Sequence, residues 1–238
     1  MNDPLEELRD IIADSDNIVF FGGAGVSTES GIPDFRSTSG LYSQKYAYPP
    51  ETMLSHGFFM NNTEEFYRFY REKMVHPDAR PNAAHMKLAE LESEGKLRAV
   101  VTQNIDGLHQ TAGSRRVCEL HGSVHRNFCM RCGKPYFLEH IMKSGGVPLC
   151  ACGGIIKPDV VLYDEPLDQD VVEGAVLAIK DADVLIVGGT SLNVYPAAGL
   201  LRYYEGGKLV LINKTELPHE RGAKLVIRDS IGDVLGRV

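Results

Sequence analysis

Leu5, Leu8, Ile11 and Ile12 recur at helical spacing among charged residues, so residues 4–14 read as an amphipathic helix. Asp3 is placed to cap it, and Pro4 suits its first turn. Residues 17–21 form a short apolar run that leads directly into glycines, the pattern of a buried strand. Comparable runs at 98–102, 117–120, 159–163, 184–187 and 208–212 predict further strands. Between them, residues 81–93, 171–180 and 195–204 predict helices, with Pro196 tolerated in a first turn. A short helix over 106–111 is closed by Gly113, and another starts near Ser230. Asn62 and Glu65 have the spacing of a capping pair, predicting a helix through Met74. Residues 37–50 lack a clear period and read as a loop.

Short apolar strands alternating with helices predict an α/β fold, a parallel sheet with helices on both faces. Two stretches interrupt the alternation, residues 37–74 and the cysteine-bearing 123–156, and predict a smaller second lobe. A chain of 238 residues, 43% hydrophobic, can bury a sizeable core. Its net charge of −7 and lack of a long basic run disfavour nucleic acid as the main partner. The first sixteen residues are polar and acidic rather than leader-like, and no apolar run is long enough to span a membrane. Together with five cysteines, four at metal-ligand spacing, this predicts a cytoplasmic protein without a disulfide framework.

Those four cysteines carry the strongest local signal. Cys129 and Cys132 form a C-x-x-C, and Cys150 and Cys152 follow after seventeen residues. Four thiolates complete a tetrahedron, so the expectation is one structural zinc rather than a catalytic ion with an open position. The second pair is one residue tighter than usual, and Gly153-Gly154 after it gives the backbone room to turn. The fifth, Cys118, reads as a small strand residue.

The remaining chemistry gathers at predicted strand ends. Gly22-Gly23-Ala24-Gly25 after the first strand is similar to a dinucleotide-binding turn, although Thr28 stands at the third glycine position. Gln103-Asn104-Ile105-Asp106, His121-Gly122, Gly189-Thr190-Ser191 and Asn213-Lys214 follow four other strands. In open α/β sheets ligands bind beyond the carboxyl ends of strands, so these clusters are expected to share one crevice. His121 is the candidate general base, because imidazole titrates near neutrality. The other histidines read as structural, with His109 in or just behind the site and His125 not expected as a metal ligand.

Taken together, these residues resemble the sirtuin family of NAD-dependent protein deacylases. The resemblance spans Asn17 to Ile231 and rests on Gly-Ala-Gly-Val-Ser, Gly-Ile-Pro-Asp-Phe-Arg, Thr-Gln-Asn-Ile-Asp, Leu-His-Gln-Thr-Ala-Gly, Glu-Leu-His-Gly, the four cysteines, Gly-Thr-Ser-Leu and Ile-Asn-Lys, in that order. It implies a Rossmann-like domain (residues 1–36, 76–122 and 157–238) and a small domain made of a helical part (37–75) and a zinc ribbon (123–156). It implies NAD as co-substrate and acetyl-lysine proteins or peptides as partners, with neither nucleic acid nor membrane as a main partner. Gly22, Ala24, Thr28 and Arg36 are then expected along the NAD pyrophosphate and ribose, and Phe35 over the reacting sugar carbon. Gln103 and Asn104 are expected at the nicotinamide ribose, Asn104 sharing the catalytic assignment with His121. Ile105 and Asp106 are expected at the nicotinamide amide, and Thr190, Ser191, Asn213 and Ile231 at the adenosine half. Val161 and Tyr163 are expected on one wall of the peptide cleft, Asn193 and Val194 on the other.

The implied reaction transfers the acetyl group to ADP-ribose, releases nicotinamide and frees lysine, with His121 accepting a proton from a ribose hydroxyl. Two features individualise the chain. Tyr163-Asp164-Glu165 replaces the family's Phe-Gly-Glu, and no Tyr-x-x-Arg, the family's mark for acidic acyl chains, occurs between Gly40 and Arg71. A small neutral acyl group is therefore expected. The alternatives are protein ADP-ribosyl transfer on the same fold, a hydride-transferring dehydrogenase, and a non-enzymatic zinc-ribbon module.

Overall fold

The computed structural model describes residues 3–35, 37, 40–43, 46–217 and 220–238. The Arg36 assignment therefore lies outside the described residues. Six strands form one parallel sheet: β1 (Ile18–Gly22), β2 (Leu97–Thr102), β3 (Val117–Glu119), β7 (Val184–Gly188), β8 (Lys208–Ile212) and β9 (Leu225–Ile227). A smaller antiparallel sheet holds β4 (Gly122–Cys129), β5 (Pro135–Phe137) and β6 (Ile156–Val160). The helices are α1 (Pro4–Ala13), α2 (Pro50–Met53), α3 (His56–Asn61), α4 (Thr63–Lys73), α5 (Ala83–Ser93), α6 (Leu108–Ala112), α7 (Leu138–Lys143), α8 (Gln169–Asp181) and α9 (Ile231–Leu235).

The parallel sheet runs β3-β2-β1-β7-β8-β9. That is the order of a dinucleotide-binding Rossmann sheet, with the reversal of winding between β1 and β7. Alternation along β1 explains the layers. Ile18 and Phe20 pack with Leu5, Leu8, Leu88 and Leu235 from α1, α5 and α9. Val19 and Phe21 face the opposite layer, with Ala175 and Ile179 of α8 and Ala197 and Leu200. A third apolar cluster joins α2, α3 and α4 to the ribbon, through Phe59, Phe66, Tyr67, Tyr70, Ile141 and Ile156. Tyr67 also donates its hydroxyl to the Ile156 carbonyl, tying α4 to β6.

Several sequence expectations need correction. Residues 159–163 are not a strand of the main sheet: β6 begins at Ile156, pairs antiparallel with β4 and stops at Val160. Apolar alternation alone does not say which sheet a strand joins. Asn62 does not cap α4 with its side chain, because α3 runs up to it and its N–H donates to the Phe58 carbonyl. Glu65 pairs with Arg68 instead. The segment after Pro196 is a 3-10 helix, Ala197–Tyr203, rather than an α-helix. β9, α2, α3 and α7 are too short to give a clear sequence period.

Candidate active site

A cavity of about 800 Å³ opens at the carboxyl ends of the parallel strands, at the winding reversal. It gathers the clusters expected there: Ala24, Thr28 and Phe35 after β1, Gln103 to Asp106 after β2, His121 after β3, Thr190 and Ser191 after β7, Asn213 after β8, and Ile231 at the start of α9. Val161 and Tyr163 line it on the ribbon side and Val194 on the other. Two assigned residues are not part of its lining. Gly22 ends β1 behind it, where its carbonyl accepts the Gln103 N–H at 3.0 Å. Asn193 is exposed and is not among the residues that line the cavity.

The loop after β1 lies against the loop after β7. Gly25 donates its N–H to the Gly189 carbonyl at 2.8 Å. A Cβ at Gly25 would sit 2.8 Å from that oxygen, so only glycine permits this approach. A glycine turn of this kind lets the backbone come close to an anionic group. Gln103 reaches across the same gap, its Nε2 donating to Thr190 Oγ1 at 3.1 Å.

His121 is held in one tautomer. Its Nδ1 lies 2.9 Å from the Gln103 carbonyl oxygen, which can only accept, so Nδ1 carries the proton and Nε2 keeps a lone pair. Burial pushes its pKa below the ordinary imidazole value, and the hydrogen bond to Gln103 opposes this in part. A neutral ring with a free Nε2 is what a general base needs at neutral pH. The His121 carbonyl in turn accepts the Val161 N–H at 3.0 Å, so the base and the ribbon-side wall share a backbone link.

Ser27 is the functional residue that the sequence reading left without a role. Asn104 Nδ2 donates to Ser27 Oγ at 3.0 Å, and Ser27 Oγ donates to Asp106 Oδ2 at 2.6 Å. Asp106 Oδ1 accepts the Leu108 N–H at 2.9 Å, which caps α6. Asn104 and Asp106 are thus locked to the glycine loop through one hydroxyl. The signal was present, since Ser27 ends the Gly-Ala-Gly-Val-Ser run. His125 supports the same segment, its Nε2 lying 3.0 Å from the Asp106 carbonyl. Asp106 therefore does more than cap a helix.

The four cysteines meet at the end of the ribbon. Their Sγ atoms all lie within 4.8 Å of one another. Cys129 and Cys152 are 3.5 Å apart, and Cys132 and Cys150 3.6 Å. A disulfide needs about 2.05 Å. Four sulfurs at ~2.3 Å from a central zinc stand about 3.8 Å apart, so this donor set fits a tetrahedral zinc. Gly154 makes the packing possible, since a Cβ there would meet Cys129 Sγ at 2.7 Å. The cysteines do not line the cavity, and among the described residues no other cluster of potential metal ligands occurs. His125 is not a ligand of this set.

Comparison with known proteins identifies the architecture. The profile of the Sir2 family matches residues 23–196. An NAD-dependent protein deacetylase of Clostridium acetobutylicum is 62% identical, covering 99% of this chain and 98% of its own. One of Clostridium perfringens, of the same description, is 60% identical over 100% of this chain and 99% of its own. Among solved structures, a Sir2 histidine-to-alanine variant with a deacetylated p53 peptide and 3'-O-acetyl-ADP-ribose superimposes with a TM-score of 0.90 at 42% identity, covering 98% of this chain and 96% of that one. Sir2 bound to an acetylated peptide gives 0.87 at 40% identity, covering 100% and 97%.

Proposed function

Because this chain belongs to the Sir2 family, we propose that it is an NAD-dependent protein lysine deacetylase, which transfers acetyl from lysine to ADP-ribose and releases nicotinamide. The observation that carries the reading is the convergence of His121, Asn104 and Asp106 on one cavity at the switch point of a Rossmann sheet. The relatives named for this activity cover the whole chain, which supports the same conclusion.

The residues present suit NAD. The turn at Gly23, Ala24 and Gly25, with Thr28, would face its pyrophosphate, with Gly22 supporting it from behind, and Thr190, Ser191, Asn213 and Ile231 would hold the adenosine half. Arg36 is assigned to the same phosphate region. Ile105 and Asp106 would bind the carboxamide, an amide recognised by one carboxylate and an apolar wall. Bound NAD supplies a sugar carbon with nicotinamide as a leaving group.

The chain's own work is positioning and one proton transfer. Gln103 and Asn104 orient the ribose, the latter braced by Ser27. Phe35, half-buried against the Tyr42 ring at 5.7 Å, covers the reacting carbon and keeps water from competing with the acyl oxygen. His121 Nε2 takes the proton of a ribose hydroxyl, and the lowered pKa keeps that lone pair available. Val161 and Tyr163 form one wall for the peptide and Val194 the other, with Asn193 at the rim.

Zinc at Cys129, Cys132, Cys150 and Cys152 has a structural role, holding the ribbon on which β4 and β6 are built. The domain division proposed from the sequence puts residues 1–36, 76–122 and 157–238 on the Rossmann side. The pairing of β6 (Ile156–Val160) with β4 argues for moving residues 157–160 to the ribbon side. No helix among the described residues is long and apolar enough to cross a membrane. The four closely placed thiols favour a reducing compartment, so the cytoplasm is the proposed location.

Quantifying nicotinamide against free lysine in one reaction tests the activity. A one-to-one ratio supports deacetylation. Nicotinamide released while ADP-ribose accumulates on the protein substrate would favour ADP-ribosyl transfer instead.

A further inference from the structure

The two cavity walls that would flank a peptide differ in charge. On one side, Ser191, Val194, Tyr195 and Pro196 carry none. The other, residues 161–165, holds two carboxylates, Asp164 and Glu165. Glu165 is occupied. Its Oε2 accepts from Lys157 Nζ at 2.9 Å and from the Leu162 N–H at 2.9 Å, and its Oε1 lies 2.8 Å from His56 Nδ1. Among the described residues, the Asp164 carboxylate takes no hydrogen bond or ion pair.

The backbone presents Asp164 outward. Its φ is 72°, in the left-handed region, which turns the chain away from the Ser55–Tyr163 bridge. Tyr163 spends its N–H on the Leu54 carbonyl and its carbonyl on the His56 N–H, which fixes the segment from behind. Asp is among the few side chains tolerated at such a φ, although glycine adopts it without strain. A carboxylate is therefore kept, exposed and unpaired, at a position where glycine is the less strained choice.

We propose that Asp164 is a specificity-determining residue, selecting acetyl-lysine peptides with Lys or Arg beside the modified lysine over those with Asp or Glu. The proposal rests on the deacetylase reading above. A cationic side chain next to the acetyl-lysine would lie along a wall whose one free charge is negative. An acidic one would meet that charge without a compensating cation, because Lys157 and His56 are already engaged by Glu165. Exposure keeps the effect modest, since solvent-accessible ion pairs contribute little.

The test uses three versions of one acetyl-lysine peptide, with lysine, alanine or glutamate flanking the modified residue. Each is assayed for kcat/KM with wild type, Asp164→Asn and Asp164→Gly. Asparagine tolerates the left-handed backbone and removes only the charge; glycine also relaxes it. Wild type is expected to favour the lysine-flanked over the glutamate-flanked peptide roughly two- to fivefold. Both variants should bring that ratio towards one, and added salt should shrink it in wild type. An unchanged ratio in both variants, or a wild-type preference for the acidic peptide, overturns the assignment and leaves the deacetylase reading intact. Failure to deacetylate any of the three would overturn both.

Discussion

His85 and His109 give the fold a calculable sensitivity to acid. Both are buried, at 0% and 1% exposure, with ring centroids 4.7 Å apart. His85 Nδ1 accepts the Asn82 N–H at 3.2 Å, while His85 Nε2 and both ring nitrogens of His109 have no hydrogen-bond partner among the described residues. Burial pushes His109 down to about 3, with the neighbouring His85 adding to the shift. Burial also lowers His85, and Asp106 partly opposes it. Both rings therefore stay neutral in the folded state, while an unfolded chain protonates them below about pH 6.5. Their stabilisation is fully present above that value and is lost as pH falls towards the folded values. At about pH 5.5 proton uptake by the unfolded state costs about 1.4 kcal/mol per ring, or about 3 kcal/mol for the pair. That figure needs only that the folded values lie well below 5.5, as the cause of the shift requires. Urea unfolding at about pH 7.5 and about pH 5.5 measures the difference; in melting temperature it corresponds to roughly 6–12 °C. His109→Leu should remove about half of the dependence. Equal stability at the two pH values, or an undiminished dependence in the variant, would refute the reasoning.

Four further outcomes follow. His121→Ala should lower kcat by roughly 10²–10⁴-fold while the protein still unfolds cooperatively; steady-state kinetics within tenfold of wild type would remove the general-base role. Wild-type kcat/KM should already have reached its plateau by neutral pH, because burial lowers the His121 pKa and the neutral ring is the active form. Metal analysis should find one zinc per chain, and chelation should lower thermal stability along with activity, since the thiolates contribute folding energy; an active, folded protein without zinc would contradict this. Acetyl-lysine should be turned over well ahead of succinyl-lysine, because no Tyr-x-x-Arg stands between Gly40 and Arg71 to meet a carboxylate: Arg71 is bound to the Ile141 and Gly146 carbonyls, and Lys73 sits by Glu72 and the Tyr46 ring. Faster succinyl turnover would show that the acyl-pocket reading is wrong.

The legible parts of the sequence were those with a local physical signature. Apolar runs located β1, β2, β7 and β8, most of whose residues are buried on both sheet faces. Asp3 and Gly113 terminate helices where their side-chain and backbone chemistry predicts. Polar clusters at strand ends converge because parallel strands all point the same way. What could not be read depends on contacts distant in sequence. The Asn62 cap fails because a neighbouring helix already satisfies that junction. β6 joins the ribbon because its partner β4 begins immediately after His121. Ser27 joins Asn104 and Asp106 across 77 and 79 residues of chain, a link that no local pattern encodes.

The central claim is most directly tested by mass spectrometry of an acetyl-lysine peptide incubated with the purified protein, with and without NAD. The account predicts that the peptide loses one acetyl group only when NAD is present, while nicotinamide and an acetylated ADP-ribose appear in equal amounts. Equal loss of acetyl without NAD, or an intact acetyl group on a peptide that gains ADP-ribose, would contradict it.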